Sequence, residues 1–166
     1  MMTPNTAAFL SMLAHSEGTD RAADPYRVCY GFKHTIIDLN FHPAEHRPPD
    51  GAVEWKGEPL DDLGALYVGM HSSAAGRYQM RLRTFLDCKA SLKLTRFDAT
   101  AQDACAVLLL QQLGAFMDVF NGRINDAIFK CRNEWASLPG GSSHQPERTS
   151  LYLTNFYSAS GGVLLS

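Results

Sequence analysis

The sequence predicts an α+β fold, mainly α: a helical core with a small irregular β-sheet at its lip. Three observations carry this. Residues 3–18 read as one capped helix. Residues 26–41 are β-branched and aromatic runs of strand length. From Gly76 onward the pattern is helical. The 166 residues suit one domain with one sizeable core, residues 1–166, and are short for two.

The first helix starts near Thr3-Pro4, a hydroxyl cap followed by proline at the first helical position. Phe9, Leu10, Leu13 and Ala14 recur at helical spacing, and Gly18 is a natural stop. "YRVCYGF" and "HTIIDLNF" read as strands, broken by Gly31 and ended by Pro43. Residues 44–70 are rich in proline, glycine and acid. They predict a long surface excursion with a short helix at Pro59 to Leu66.

Further helices are expected over Tyr78–Lys89 and, capped by Asp98 or Thr100, through "AQDACAVLLLQQLG" to Gly114. "INDAIFKCRNEWASL" places Ile124, Ala127, Ile128, Cys131, Trp135 and Leu138 on one face, before Pro139-Gly140-Gly141. A last helix is expected from Thr149 to Ala159.

Composition narrows the function. Apolar residues are 45 % and charged residues 19 %, a globular balance. The formal net charge of -2 gives no bulk basic character for nucleic acid. No run approaches the roughly 20 apolar residues of a membrane span. The first residues have neither the basic nor the long apolar part of a signal peptide. The expectation is therefore a protein that accumulates where it is made. Cys29, Cys88, Cys105 and Cys131 form no C-x-x-C pair and are expected as buried free thiols.

Two segments carry chemistry. In "LAHSEGTD", Glu17 lies four residues after Leu13, so it continues the apolar stripe, and it ends the helix, where the macrodipole is negative. Desolvation and the helix end both favour the protonated acid, ready to donate a proton near neutral pH. The plainer alternative is a glutamate exposed in a frayed last turn. In "SSAAGRYQM", small residues leave the backbone room, while Tyr78 and Gln79 supply a stacking face and an amide suited to a carbohydrate. The plainer alternative is an ordinary loop with Tyr78 in the core.

"AFLSMLAHSEGTD" resembles the N-terminal helix and catalytic turn of the lambda-type bacteriophage lysozymes, endolysins that act as peptidoglycan lytic transglycosylases. "SSAAGRYQM" resembles that family's "GRYQ" segment, and "AIFKCRNEWASLPG" its late helix ending in "WASLPG". The motifs occur in the family's order, and "AQDACAVLLLQQ" and His42-Pro43 add weaker matches. Three features depart from the family: residues 44–70 look inserted, "GSSHQPE" stands where a tyrosine is expected near Ser143, and Arg27 stands near an expected acid.

The resemblance implies a lysozyme-like fold and cleavage between N-acetylmuramic acid and N-acetylglucosamine. It implies Glu17 as general acid, then as base toward the muramic acid 6-hydroxyl, giving a 1,6-anhydro product. It implies Arg77, Tyr78 and Gln79 as substrate-binding residues, with no metal and no cofactor. It also implies a monomer with peptidoglycan glycan strands as partner and no stable membrane insertion. Such an enzyme waits in the host cytoplasm until a separate holin releases it to the wall in the periplasm. Other readings remain open at this point. A hydrolytic muramidase would use Asp24 or Asp38 as second carboxylate. A zinc amidase or peptidase would use His42 and His46 with His34 and His71, although Pro43 sits inside that pair. A non-catalytic glycan-binding module would use Trp55 and Tyr67.

Overall fold

This structure, a computed structural model, describes residues 2–141 and 148–165. The fold is mainly α with a small sheet, as expected. The departure expected at Ser143 lies outside the described residues. The chain divides into two compact units, one of residues 1–21 and 106–166 and one of residues 22–105.

The first unit is built on α1, Pro4–Glu17. Thr3 caps it by accepting from the Thr6 amide, and Pro4 takes the first turn, where a missing N–H costs nothing. Gly18 ends it in the left-handed region at φ 76°, a conformation that glycine adopts without a Cβ clash. Burial on α1 is broader than one stripe: Ala8, Phe9, Leu10, Met12, Leu13 and Ala14 are all buried. The helix packs on α4 (Phe116–Phe120) and α6 (Ser150–Ala159), and α5 (Ile124–Cys131) packs on both of those. α6 falls within the helix expected from Thr149 to Ala159, and Thr149 caps it by accepting from the Tyr152 amide. Asp118 is buried in α4 and accepts from Arg123 at 2.7 Å and Lys130 at 2.5 Å.

One expected helix is shorter in the structure. The pattern from Ile124 to Leu138 is helical only to Cys131 and continues as turns. Trp135 and Leu138 are still buried, so the periodicity follows burial while the backbone changes form.

The second unit contains α2 (Leu82–Leu92) and the start of α3 (Ala99–Gln112), whose end lies in the first unit. Asp98 caps α3 by accepting from the Ala101 amide. The helix expected over Tyr78–Lys89 begins four residues later, because Ala75–Met80 closes into a bridged turn with Gln79 at φ 49°.

The expected strands are also corrected. Residues 26–41 do not form ladders. Asp24 accepts from the Tyr26 amide, and Pro25 opens a 3-10 turn over Pro25–Arg27. Gly31 and Phe32 take positive φ in a second such turn, Tyr30–Phe32. The two runs still meet, through a single Val28–Thr35 bridge and an Ile36 amide bonded to the Arg27 carbonyl. The sheet itself pairs β1, Glu58–Pro59, with β2, His71–Ser72, antiparallel. Pro59 therefore stands in a strand, and the helix expected there is two 3-10 turns at Asp61–Leu63 and Ala65–Tyr67. All four cysteines are free and buried.

Candidate active site

Glu17 is the last residue of α1 and is partly buried. The Gly18 amide returns to the Ala14 and His15 carbonyls, and the Thr19 hydroxyl donates to Ala14 O at 3.2 Å. These bonds satisfy the helix end and fix the residue that precedes it. Burial pushes the Glu17 carboxyl up to about 7, and the smaller opposing effect is the Ser137 hydroxyl that donates to its Oε1 at 2.7 Å. The frayed, exposed alternative is not the arrangement found.

Sequence reasoning missed Ser137 and Ser16. Ser137 lies in the turns after α5 between the buried side chains of Trp135 and Leu138, and its Oγ is 2.5 Å from Ser16 Oγ. The signal was present in "WASL", where a small hydroxyl residue stands between two anchors. Beside this group, His15 stacks on Phe156 with centroids 3.8 Å apart. Its ring nitrogens bond Asp20 and the Tyr152 hydroxyl, each at 2.6 Å.

Arg77, Tyr78 and Gln79 belong to the second unit. Gly76 precedes them at φ 78°, and a Cβ there would lie 2.2 Å from Gln102 Oε1. That oxygen accepts the Arg77 amide at 2.9 Å, while the Gln102 amide nitrogen donates to the Tyr26 and Phe97 carbonyls. Tyr78 is corrected: its ring is 1 % exposed, so it offers no stacking face, and its hydroxyl donates to Asp103 at 2.6 Å. Burial, the largest effect, raises its pKa, and the Asp103 charge adds to it. Arg77 donates to the Tyr26 hydroxyl at 2.8 Å and lies over the Tyr26 ring. Gln79 donates to Gly76 O at 3.0 Å and Val28 O at 3.3 Å, and its buried Oε1 has no hydrogen-bond partner among the described residues.

The other candidate carboxylates are engaged in local structure. Asp24 caps its turn and pairs with Arg27 at 3.2 Å. Asp38 accepts from the Asn40 amide at 2.9 Å and lies 3.8 Å from Arg47. Arg27 itself donates to the Ile36 and Ile37 carbonyls, so it closes this segment on the backbone. Glu54 is the hub of the region: it accepts from the Ile37 and Asp38 amides, from Arg47 and from His34. Burial opposes its ionisation, but those donors together hold it at about 2.

The described histidines do not converge on a common metal site. His42 is buried, donates Nε2–H to Met80 O and accepts the Ala44 amide at Nδ1, so both ring nitrogens are used. His46 bonds Gly51 O, and His34 bonds Glu54 and stacks parallel to Trp55. Among the described residues no His, Cys, Asp and Glu cluster could hold a metal ion. None of the described helices is long and apolar enough to cross a membrane.

The mainly α fold with its small two-stranded sheet is that of a lysozyme-like enzyme. The chain belongs to the Endolysin family, whose model matches residues 7–164. It is 35 % identical to the endolysin of Escherichia phage P2, covering 96 % of this chain and 94 % of that one. It is 32 % identical to the endolysin of Escherichia phage lambda, covering 95 % and 91 %. The fold is similar to that of bacteriophage lambda lysozyme complexed with a chitohexasaccharide, with a TM-score of 0.81, 30 % identity and 99 % of each chain covered. The protein is thus a phage-type endolysin, an enzyme of peptidoglycan lysis.

Proposed function

We propose that this endolysin cleaves the glycan strand between N-acetylmuramic acid and N-acetylglucosamine by lytic transglycosylation, with Glu17 as its one acid–base catalyst. The observation that carries this is the Glu17 carboxyl, pushed up to about 7 by burial and bonded to Ser137. Neutral, it protonates the glycosidic oxygen as the bond to the anomeric carbon breaks. As a carboxylate, it then takes the proton of the muramic acid 6-hydroxyl, whose oxygen closes on that carbon. The acid is regenerated, and the product is a 1,6-anhydro end. One carboxyl suffices because the nucleophile belongs to the substrate, unlike the two-carboxylate glycosidases. The engagement of Asp24 and Asp38 in turn and arginine contacts supports this reading over hydrolysis.

Arg77 and Gln79 are the proposed substrate-side residues of the second unit, with Tyr78 holding their turn from beneath. The chain acts as a single lysozyme-like domain and as a monomer. Its partner is the glycan strand, and it needs no metal, because proton transfer at Glu17 requires no Lewis acid. It is held in the host cytoplasm until a holin opens the way to the wall.

Mass spectrometry of digested peptidoglycan tests the reaction. Fragments lighter by one water than hydrolysed ones, with no new reducing ends, are expected. A digest dominated by reducing-end muramic acid overturns transglycosylation in favour of water as nucleophile.

A further inference from the structure

Ser16, Ser137 and Glu17 form a hydrogen-bonded line. Ser16 Oγ is 2.5 Å from Ser137 Oγ, and Ser137 Oγ is 2.7 Å from Glu17 Oε1. A serine hydroxyl carries one proton. If Ser137 donates that proton to Glu17, its bond to Ser16 must use Ser16 as donor. The line then runs one way, from Ser16 through Ser137 to the carboxyl. Both serines are also held by contacts outside this line. Ser16 is a buried residue of the last turn of α1. Ser137 is fixed from either side by Trp135 and Leu138, and its carbonyl accepts the Arg148 amide at 3.1 Å.

We infer that Ser137 is the positioning residue of the Glu17 carboxyl: held by Ser16, it occupies Oε1 as an acceptor and so assigns the transferred proton to Oε2. The inference rests on Glu17 being the acid–base group. Its content is which oxygen works and what holds it. With Oε1 committed to Ser137 in both protonation states, the neutral acid carries its proton on Oε2, and Oε2 later receives the proton of the attacking hydroxyl. The carboxyl does not have to rotate between the two steps. The same bond stabilises the carboxylate, in keeping with its opposing effect on a group that burial keeps protonated. Ser137 touches Glu17 and acts through it.

The test compares Ser137→Ala, Ser137→Thr, Ser16→Ala and Glu17→Gln on purified peptidoglycan over a range of pH, with circular dichroism reporting the fold. Ser137→Ala should lower kcat on the order of 10- to 100-fold, as misplacing a catalytic group does, with KM nearly unchanged. Its alkaline limb should move to higher pH, because the carboxylate has lost a donor. Ser137→Thr keeps the hydroxyl and should restore both. Ser16→Ala should move both in the same direction by less. Carbon NMR of the Glu17 carboxyl gives a readout independent of turnover: its titration midpoint should rise in Ser137→Ala. A lower kcat with an unmoved alkaline limb and an unmoved midpoint overturns the inference and leaves Ser137 a structural residue. A fully active Glu17→Gln overturns the catalytic assignment instead, whatever the serine variants do.

Discussion

The Tyr78 hydroxyl donates to Asp103 Oδ1 at 2.6 Å, and Tyr26 donates to the same carboxylate at 3.0 Å from a different turn. Asp103 thereby ties the turn of residues 76–80 and the turn of residues 25–27 to α3. Tyr78→Phe should cost about 1.5–3 kcal/mol of stability, the range for a hydrogen bond to a charged group, and leave KM unchanged. Tyr78→Ala should cost about 3–5 kcal/mol through the cavity. Urea denaturation measures both. A Tyr78→Phe variant of full stability whose KM rises tenfold would place the hydroxyl on the substrate instead.

Glu17→Gln should lose activity by roughly 100- to 10,000-fold, the range for removing a general acid–base group, while glycan binding largely survives. Its stability should change in the opposite sense. The folded carboxyl titrates near 7 against an ordinary 4.5. Below 4.5 both states are protonated and no cost exists. Between 4.5 and 7 only the unfolded chain ionises, so the wild type loses stability as pH rises, and the loss is complete above 7. At about 1.4 kcal/mol per pH unit the gain of the glutamine variant above pH 7 is on the order of 3 kcal/mol. Denaturation of both proteins at pH 4 and pH 8 checks the sign. An equal gap at the two pH values refutes the account of how burial sets this acid.

Glu54 should show the reverse dependence. Its four donors hold the folded carboxyl at about 2 against 4.5. The stability it contributes is present above 4.5 and is lost as pH falls from 4.5 toward 2. The penalty for Glu54→Gln, measured by urea denaturation, should therefore be large at pH 7 and shrink below pH 4. A penalty that does not vary with pH would mean that shape, not charge, holds residues 34–38 and Arg47 together.

How much was legible in the sequence follows the range of the forces. α1 was legible because Thr3, Pro4 and Gly18 act on backbone within one turn of themselves. Glu17 was legible for the same reason, as the residue before that stop. Ser137 was not: "WASL" shows a hydroxyl between two anchors, but its partner lies 120 residues away and nothing local names that partner. The face from Ile124 to Leu138 predicted which side chains are buried but not that the backbone leaves the helix at Cys131, because turns can bury Trp135 and Leu138 as well. Residues 26–41 misled for a related reason. β-branched and aromatic residues suit any half-buried extended segment, and here Glu54, from the predicted excursion, binds the Ile37 and Asp38 amides that a neighbouring strand would have used. Tyr78 shows the limit for a binding site: a tyrosine after glycine and arginine suits a sugar platform and a core residue equally, and only its burial decides.

Gly76→Ala should disturb the 76–80 turn through two effects. The φ of 78° is unfavourable for alanine, and the new methyl would meet a Gln102 amide already held by two carbonyls. A loss of about 1–3 kcal/mol is expected from such overpacking. Thermal unfolding measures it. If Gly76→Ala unfolds as the wild type does, Gln102 has another place to go.

The four buried cysteines bear on how the enzyme withstands oxidants. Burial, with nearby acidic side chains adding to it, pushes the Cys29 and Cys131 thiols up to about 12, and the Cys105 thiol is raised too by its hydrogen bond with Cys88. Thiolate is the species that oxidants and alkylating reagents attack, and little of it exists at these positions at neutral pH. Stocks of the enzyme should keep their activity in air without added reductant. The thiols should ignore Ellman's reagent until denaturant opens the chain, so the rate of colour development becomes a direct clock for unfolding.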